Sequence, residues 1–209
     1  MVRFDHFAKQ YGTIPILQID ALTLPTGIYW VKGANGSGKS TLLRSMAGVL
    51  HFHGEITWNN LRLKKDTVPY RRVVNFAEAE PLFPEFLTGM EMIDLFRTAK
   101  GGAWRQEEYY IESMQMQTYI HQPIGTYSSG MLKKLSLVLA FLGTPQLILL
   151  DEPAITLDVQ ALGVLNRWID EQHTRQGTTF LLSSHQPLTV EGLSSQYLLV
   201  EHHTVTVTA

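Results

Sequence analysis

Gly27-Ile-Tyr-Trp-Val31, followed after Lys32 by Gly33-Ala-Asn-Gly-Ser-Gly-Lys-Ser40, is the stretch that decides the fold of this 209-residue chain. The short apolar run reads as a buried strand, and the segment opening at Lys39 reads as a helix. Between them lies a phosphate-binding-loop pattern in the strand-loop-helix context that gives it specificity. The glycines let successive backbone N–H groups converge on phosphate oxygens, and the helix aims its positive end at them. Gly33, Ala34, Asn35, Gly36, Ser37, Gly38, Lys39, Ser40 and Thr41 are therefore candidate nucleotide contacts. Lys39 is spaced to reach the β- and γ-phosphates, and Ser40 to ligate magnesium.

Downstream, Leu147-Ile-Leu-Leu-Asp-Glu-Pro153 reads as a buried strand that ends abruptly in two carboxylates. In open α/β sheets, ligands bind beyond the C-terminal ends of strands. Asp151 is placed there to hold a magnesium shell and Glu152 to orient and deprotonate a water attacking the γ-phosphate. Thr178–Ser183 is a second short apolar run, and a helical segment, Gln160–His173, separates the two. This alternation predicts a parallel sheet with helices on its faces. Upstream, Ile14–Ile19 and Gly54–Trp58 read as strands set among turn residues. From Pro84 to about Gln117 the pattern turns helical, with a capping box at Thr88-Gly-Met-Glu91 and an apolar stripe of Met92, Ile93, Leu95 and Phe96. Ser128 or Ser129 caps a further helix reaching about Leu142. Met131, Leu135, Val138 and Leu142 share its buried face, with Lys133 and Lys134 elsewhere. Tyr197–Val207 reads as two strands around Glu201-His-His.

Composition removes other classes. With 44% apolar and 17% charged residues the chain has the makings of a packed core, which excludes a disordered or fibrous one. Seventeen basic against nineteen acidic residues give a net charge of −2, so there is no global positive field for nucleic acid. The absence of cysteine excludes a disulfide framework, a zinc ribbon, thiolate catalysis and an iron–sulfur cluster. The most apolar windows, Leu135–Leu142 and Leu147–Leu150, fall short of the roughly 18–20 residues that span a bilayer. Met1-Val-Arg-Phe-Asp-His6 lacks the basic start and apolar stretch of a secretory signal, so a cytoplasmic location is expected. His51, Phe52 and His53, and later His202-His203, bring no carboxylate at a ligand spacing and read as solvated turns.

Taken together, these segments resemble the ATP-binding cassette (ABC) ATPases. Tyr127-Ser-Ser-Gly-Met131 resembles the family's signature loop, Leu-Ser-Gly-Gly-Gln. It keeps Ser128 and Gly130 and departs at Tyr127, Ser129 and Met131. By itself the segment reads as an ordinary helix cap. Ala154-Ile-Thr-Leu-Asp158 resembles the loop after the acidic strand, which implies a dimer contact for Asp158. Leu181-Leu-Ser-Ser-His185 resembles the switch segment, which implies that a neutral His185 hydrogen-bonds the γ-phosphate. Tyr11 matches the aromatic that stacks on adenine, with Phe7 as a competitor. Phe76-Ala-Glu-Ala-Glu-Pro-Leu-Phe-Pro84 resembles the glutamine loop. Glu78 stands at the glutamine position, where a carboxylate retains metal contact.

The resemblance implies a P-loop NTPase of RecA-like α/β fold, with a mainly parallel core, an N-terminal antiparallel β subdomain and an inserted helical subdomain. Residues 1–209 would form one such domain, with the core at 1–80 and 140–209 and the helical lobe at about 81–139. It also implies ATP and Mg2+ as cofactors and a head-to-tail pair of ATP-binding subunits, identical or not. Each ATP would lie between Lys39, Ser40, Asp151, Glu152 and His185 of one subunit and Ser128 and Gly130 of the other. A separate transmembrane permease subunit would dock near Glu78–Met90, holding the protein peripherally on the inner face of the cell membrane. The signature variant is similar to those of bacterial export ATPases. The alternative, a soluble family member acting in translation or DNA repair, usually carries two cassettes or a long coiled-coil insertion, and neither fits here. A phosphotransferase kinase would need an acceptor-binding lid in place of the Ser128 loop.

Overall fold

The computed structural model describes residues 1–184 and 195–208. The first half interleaves two sheets. Strands β1 (Val2–Tyr11), β2 (Ile14–Leu24), β4 (His53–Trp58) and β5 (Leu61–Arg62) form an antiparallel sheet in the order β2-β1-β4-β5. The second sheet takes β3 (Ile28–Lys32), β6 (Val74–Ala77), β7 (Leu147–Asp151), β8 (Thr179–Ser183), β9 (Ser195–Glu201) and β10 (Thr204–Thr208), in the order β10-β9-β3-β8-β7-β6. Its strands are parallel except β10, which returns antiparallel to β9 through His202 and His203, both at positive φ. The strands anticipated at 14–19, 27–31, 54–58, 147–150 and 178–183 are all present, the first extended to Leu24.

β7 and β8 are buried at every residue, which is why they appear in sequence as continuous apolar runs. Side chains of alternate residues leave a strand on opposite faces, so each strand serves two cores. Ile148, Leu150, Phe180 and Leu182 pack under helices α5 (Ser129–Phe141) and α6 (Val159–Gln176). Leu147, Leu149 and Leu181 face helix α1 (Lys39–Met46) and the antiparallel sheet. The first cluster also takes in Met92 and Ile93 of α3 (Gly89–Lys100) and Tyr110 and Ile111 of α4 (Gln106–Ser113). One apolar body therefore runs from the sheet into the helical segment. Helix α2 (Thr67–Val73), not expected from the sequence, carries Pro69 in its first turn, where no intrahelical donor is lost. Among the described residues no helix is long and apolar enough to cross a membrane.

The capping box of α3 is formed as the sequence predicts: Thr88 Oγ1 accepts from Glu91 N at 3.2 Å, and Thr88 N donates to Glu91 Oε2 at 2.7 Å. The apolar stripe needs one correction. Met92 and Ile93 are buried, but Leu95 is 58% exposed, since it lies roughly 110° round the helix from the centre of the stripe. A second correction concerns α5. Lys134 pairs with Asp158 across the surface at 3.3 Å, whereas Lys133, expected off the buried face, is itself buried.

Another lysine secures the helical segment from α3. Lys100 Nζ donates to Arg71 O and, at 3.0 Å, to Val74 O, at the junction of α2 and β6. Burial, aided by the Arg71 charge, pulls its pKa down to about 8 from 10.5. Below about 8 the lysine is protonated whether the chain is folded or not. Between there and 10.5 only the unfolded chain holds the proton, so stability must rise with pH across that window. We expect Lys100 to contribute a rise on the order of 1–3 kcal/mol, so that the increase in Lys100→Met is smaller than in the parent by about that amount, when denaturation midpoints are compared from pH 7 to 10.5.

Candidate functional site

β3 delivers the chain into the loop at Gly33. A side chain there could not exist, because its Cβ would lie 2.4 Å from Val200 O and 2.5 Å from Ser37 Oγ. At the other end Gly38, with φ 107, caps α1 in a conformation that L-residues rarely adopt. The first backbone N–H groups of α1 are then free of intrahelical partners and face outward from the helix end. Lys39 folds back over the loop: 8% exposed, its Nζ donates to Gly33 O at 2.9 Å and Ala34 O at 3.1 Å. The loop closes on itself through Ser37 N to Ala34 O, and Ser37 Oγ is buried without a hydrogen-bond partner among the described residues.

β7 ends against this loop. Asp151, 1% exposed, accepts through Oδ1 from Ser40 Oγ at 3.1 Å and from Ser183 Oγ at 2.6 Å. Its Oδ2 is buried with no hydrogen-bond partner among the described residues, a costly state for a carboxylate oxygen unless something positive is to meet it. The next residue, Glu152, takes φ 46 and turns the chain off the strand. Its N–H donates to Ser183 Oγ at 2.9 Å, so a single hydroxyl orients both acidic residues. Ser183 was not singled out in the sequence. The signal was there nonetheless, as a hydroxyl closing an apolar strand, and the parallel register sets it directly beside Asp151.

A cleft of about 510 Å³ opens over these groups, lined by Asn35, Gly36, Gly38, Lys39, Ser40, Thr41 and Glu152 on one side and by Tyr11 and Ile16 on the other. Tyr11, at the end of β1, is half exposed with Lys9 Nζ 4.6 Å from its ring centre, while Phe7 is fully buried against Phe4 and Phe52. Register shifts in β1 separate these fates. One between Asp5 and Ala8 turns Phe7 inward, and one between Lys9 and Gln10 re-aims the strand end. Phe52 is core, and His51 and His53 stack edge-on beside it.

The remaining expected residues lie elsewhere. Glu78 sits beside Arg44 of α1, Oε1 to Nε 3.8 Å, and is not among the residues lining the cleft. Ser128 caps α5, its Oγ accepting from Met131 N at 3.3 Å, and neither it nor Gly130 lines the cleft. A Cβ on Gly130 would stand 3.1 Å from Thr156 O, so the start of α5 abuts the loop that follows Glu152. Asp158 caps α6 through Ala161 N at 2.7 Å, and that bond, with Lys134, holds its carboxyl below the usual range. His185 lies outside the described residues.

Lys133 is a further group that helical periodicity does not reveal. Its Nζ donates to Glu78 O at 2.9 Å, Ala79 O at 3.0 Å and Asp151 O at 3.2 Å, behind the acidic strand end. Burial pulls its pKa down to about 8, opposed by the charges of Asp151, Glu152 and Glu80.

Comparison with known proteins gives one consistent result. The family model described as ABC transporter matches residues 19–155. The cytochrome c biogenesis ATP-binding export protein CcmA of Legionella pneumophila is 34% identical over 182 residues, 85% of this chain and 89% of that protein. Two other relatives at 29% identity, a human ATP-binding cassette sub-family A member and a Bacillus subtilis ABC transporter ATP-binding protein, are longer. The chain spans 9% of the first and 66% of the second. A solved ATP-binding subunit of an ABC transporter superposes with TM-score 0.90 at 25% identity, covering all of this chain and 89% of that one. The cassette MJ0796, solved as a dimer bound to ADP and Pi, gives 0.85 at 21% identity, covering all of this chain and 98% of that one.

Proposed function

We propose a function from one premise: the chain belongs to the ABC transporter family. As a member it is an ATP-binding ATPase domain. Beyond that, we infer that it powers transport through a separate membrane subunit, by closing on ATP as one half of a pair.

The observation that carries this reading is the contact of Ser40 Oγ with Asp151 Oδ1 at 3.1 Å, which joins the phosphate loop to the acidic strand end across 111 residues of sequence. ATP would lie in the cleft, adenine against Tyr11 and phosphates in the Gly33–Thr41 loop, where Lys39 exchanges its carbonyl partners for phosphate oxygens. Ser40 and Asp151 would hold Mg2+, a hard cation that takes oxygen ligands, and the buried Asp151 Oδ2, without a hydrogen-bond partner among the described residues, supports that fit. Glu78 would join them on leaving Arg44. Bound there, the cation neutralises charge on the phosphates. Glu152 takes a proton from the attacking water, whose oxygen bonds to the γ-phosphorus. The bond from that phosphorus to the β–γ bridging oxygen breaks with its electron pair, giving ADP and inorganic phosphate. His185 would hydrogen-bond the γ-phosphate.

Ser128 and Gly130 supply a second helix start, away from the cleft of their own chain. A second copy, or a similar subunit, would present them to the γ-phosphate, and the dimeric MJ0796 cassette supports such a pairing. Leu82 and Phe86, each more than 80% exposed, give the segment around Glu78–Met90 an apolar surface suited to a membrane permease. Export is the direction we favour, supported by the likeness to CcmA. The protein would then work on the cytoplasmic face of the membrane.

Ser128→Arg tests the pairing. Binding of a fluorescent ATP analogue to the single chain should be unchanged, while ATP-driven dimers, followed by light scattering in a Glu152→Gln background, should disappear. Equal loss of both would point to a complete site within one chain.

A further inference from the structure

Lys133 is 1% exposed, yet it carries an ammonium group. Such burial is tolerated because each of its three N–H groups meets a backbone carbonyl: Glu78 O, Ala79 O and Asp151 O, at 2.9, 3.0 and 3.2 Å. Those carbonyls are not on one element. β6 and β7 are parallel neighbours with Ala77 opposite Leu150, so the three acceptors are the first residues beyond the paired part of β6 and the last residue of β7. Lys133 thus clips two adjacent strand ends together and fastens both to α5. The same helix is capped by Ser128, about one and a half turns earlier, and one hydrogen bond past the clipped carbonyl Glu152 N is held by Ser183.

We propose that Lys133 is a positioning residue that couples the start of α5 to the catalytic carboxylates of its own chain. A helix is stiff over so short a span. Phosphate drawn against Ser128 and Gly130 therefore shifts the ammonium, and with it the main chain at Asp151 and at Glu78. In a closed pair, capture of one nucleotide by a subunit's α5 sets the geometry with which that subunit hydrolyses the other. This role rests on the paired reading above.

The test compares Lys133→Met, Lys133→Gln and the parental protein, with Ser128→Arg alongside. Lys133→Met keeps the length and helix preference of the side chain and removes every donor. It should bind MgATP and dimerise on it as the parent does, with kcat lower by about 10–100-fold and KM little changed. Lys133→Gln, which keeps two amide donors, should recover part of the rate. A Lys133→Met protein with parental kcat overturns the proposal, as does one whose ATP affinity falls in step with kcat and is not rescued by Gln. If Lys133→Met fails to fold, a Lys133→Gln protein with parental kcat overturns it equally. Should the parental protein itself form no ATP-driven dimer, the paired reading falls first, and the comparison with Ser128→Arg separates that result from a failure of the clip alone.

Discussion

Glu152→Gln is expected to lower kcat for ATP hydrolysis by about 10²–10⁴-fold while leaving ATP binding intact. The structure makes this substitution unusually clean. The backbone N–H of Glu152 is fixed by Ser183 Oγ at 2.9 Å, and its φ of 46 is imposed by the exit from β7, so an amide of equal size inherits the same position. What changes is the loss of a proton acceptor and of one negative charge beside the phosphates. Fewer like charges at the phosphate end favour the ATP-bound state, so the variant should accumulate as an ATP-bound dimer. Steady-state phosphate release and light scattering in ATP check the two halves of the expectation. Turnover at the parental rate would exclude Glu152 as the base.

Much of this site was legible because its determinants are local. The loop Gly33–Ser40 needs glycine where a Cβ would strike Val200 O, and the acids follow at once on a strand whose five residues are all buried. The cap at Ser128 was equally readable, since its acceptor and donor lie three residues apart. What escaped depends on distant backbone. Lys133 looks like a wetted lysine because nothing in a helical wheel says that carbonyls 55 and 18 residues away, on two strand ends, will gather round its ammonium. Carbonyls are the same for every residue type and leave no trace in the sequence. Ser183 is the intermediate case, recognisable only once β8 is known to lie next to β7 in parallel register. Tyr11 and Phe7 could not be told apart by alternation, because two register shifts in β1 break the period that alternation assumes.

Lys39→Ala should have the opposite signature, removing nucleotide binding itself. The ammonium rests on Gly33 O and Ala34 O, two carbonyls that belong to the very loop that must receive the phosphates. It therefore performs two tasks: it holds the loop's curvature and it supplies the positive charge nearest the expected triphosphate. A charge-assisted hydrogen bond contributes about 1.5–3 kcal/mol, which alone is about 10–150-fold in affinity. Loss of loop curvature adds to that, so binding should fall below detection at ordinary calorimetric concentrations, and hydrolysis with it. The fold should survive, since Leu42, Leu43 and Met46 anchor α1 in the core independently of the lysine. Unchanged thermal unfolding of the nucleotide-free protein checks this. Lys39→Arg separates the two tasks. Its guanidinium retains the charge but not the compact ammonium that fits between two carbonyls, so it should restore weak binding without restoring turnover. Parental ATP affinity in Lys39→Ala would remove the loop from the nucleotide site, and Ser40, Asp151 and Glu152 would then be left without a substrate to act on.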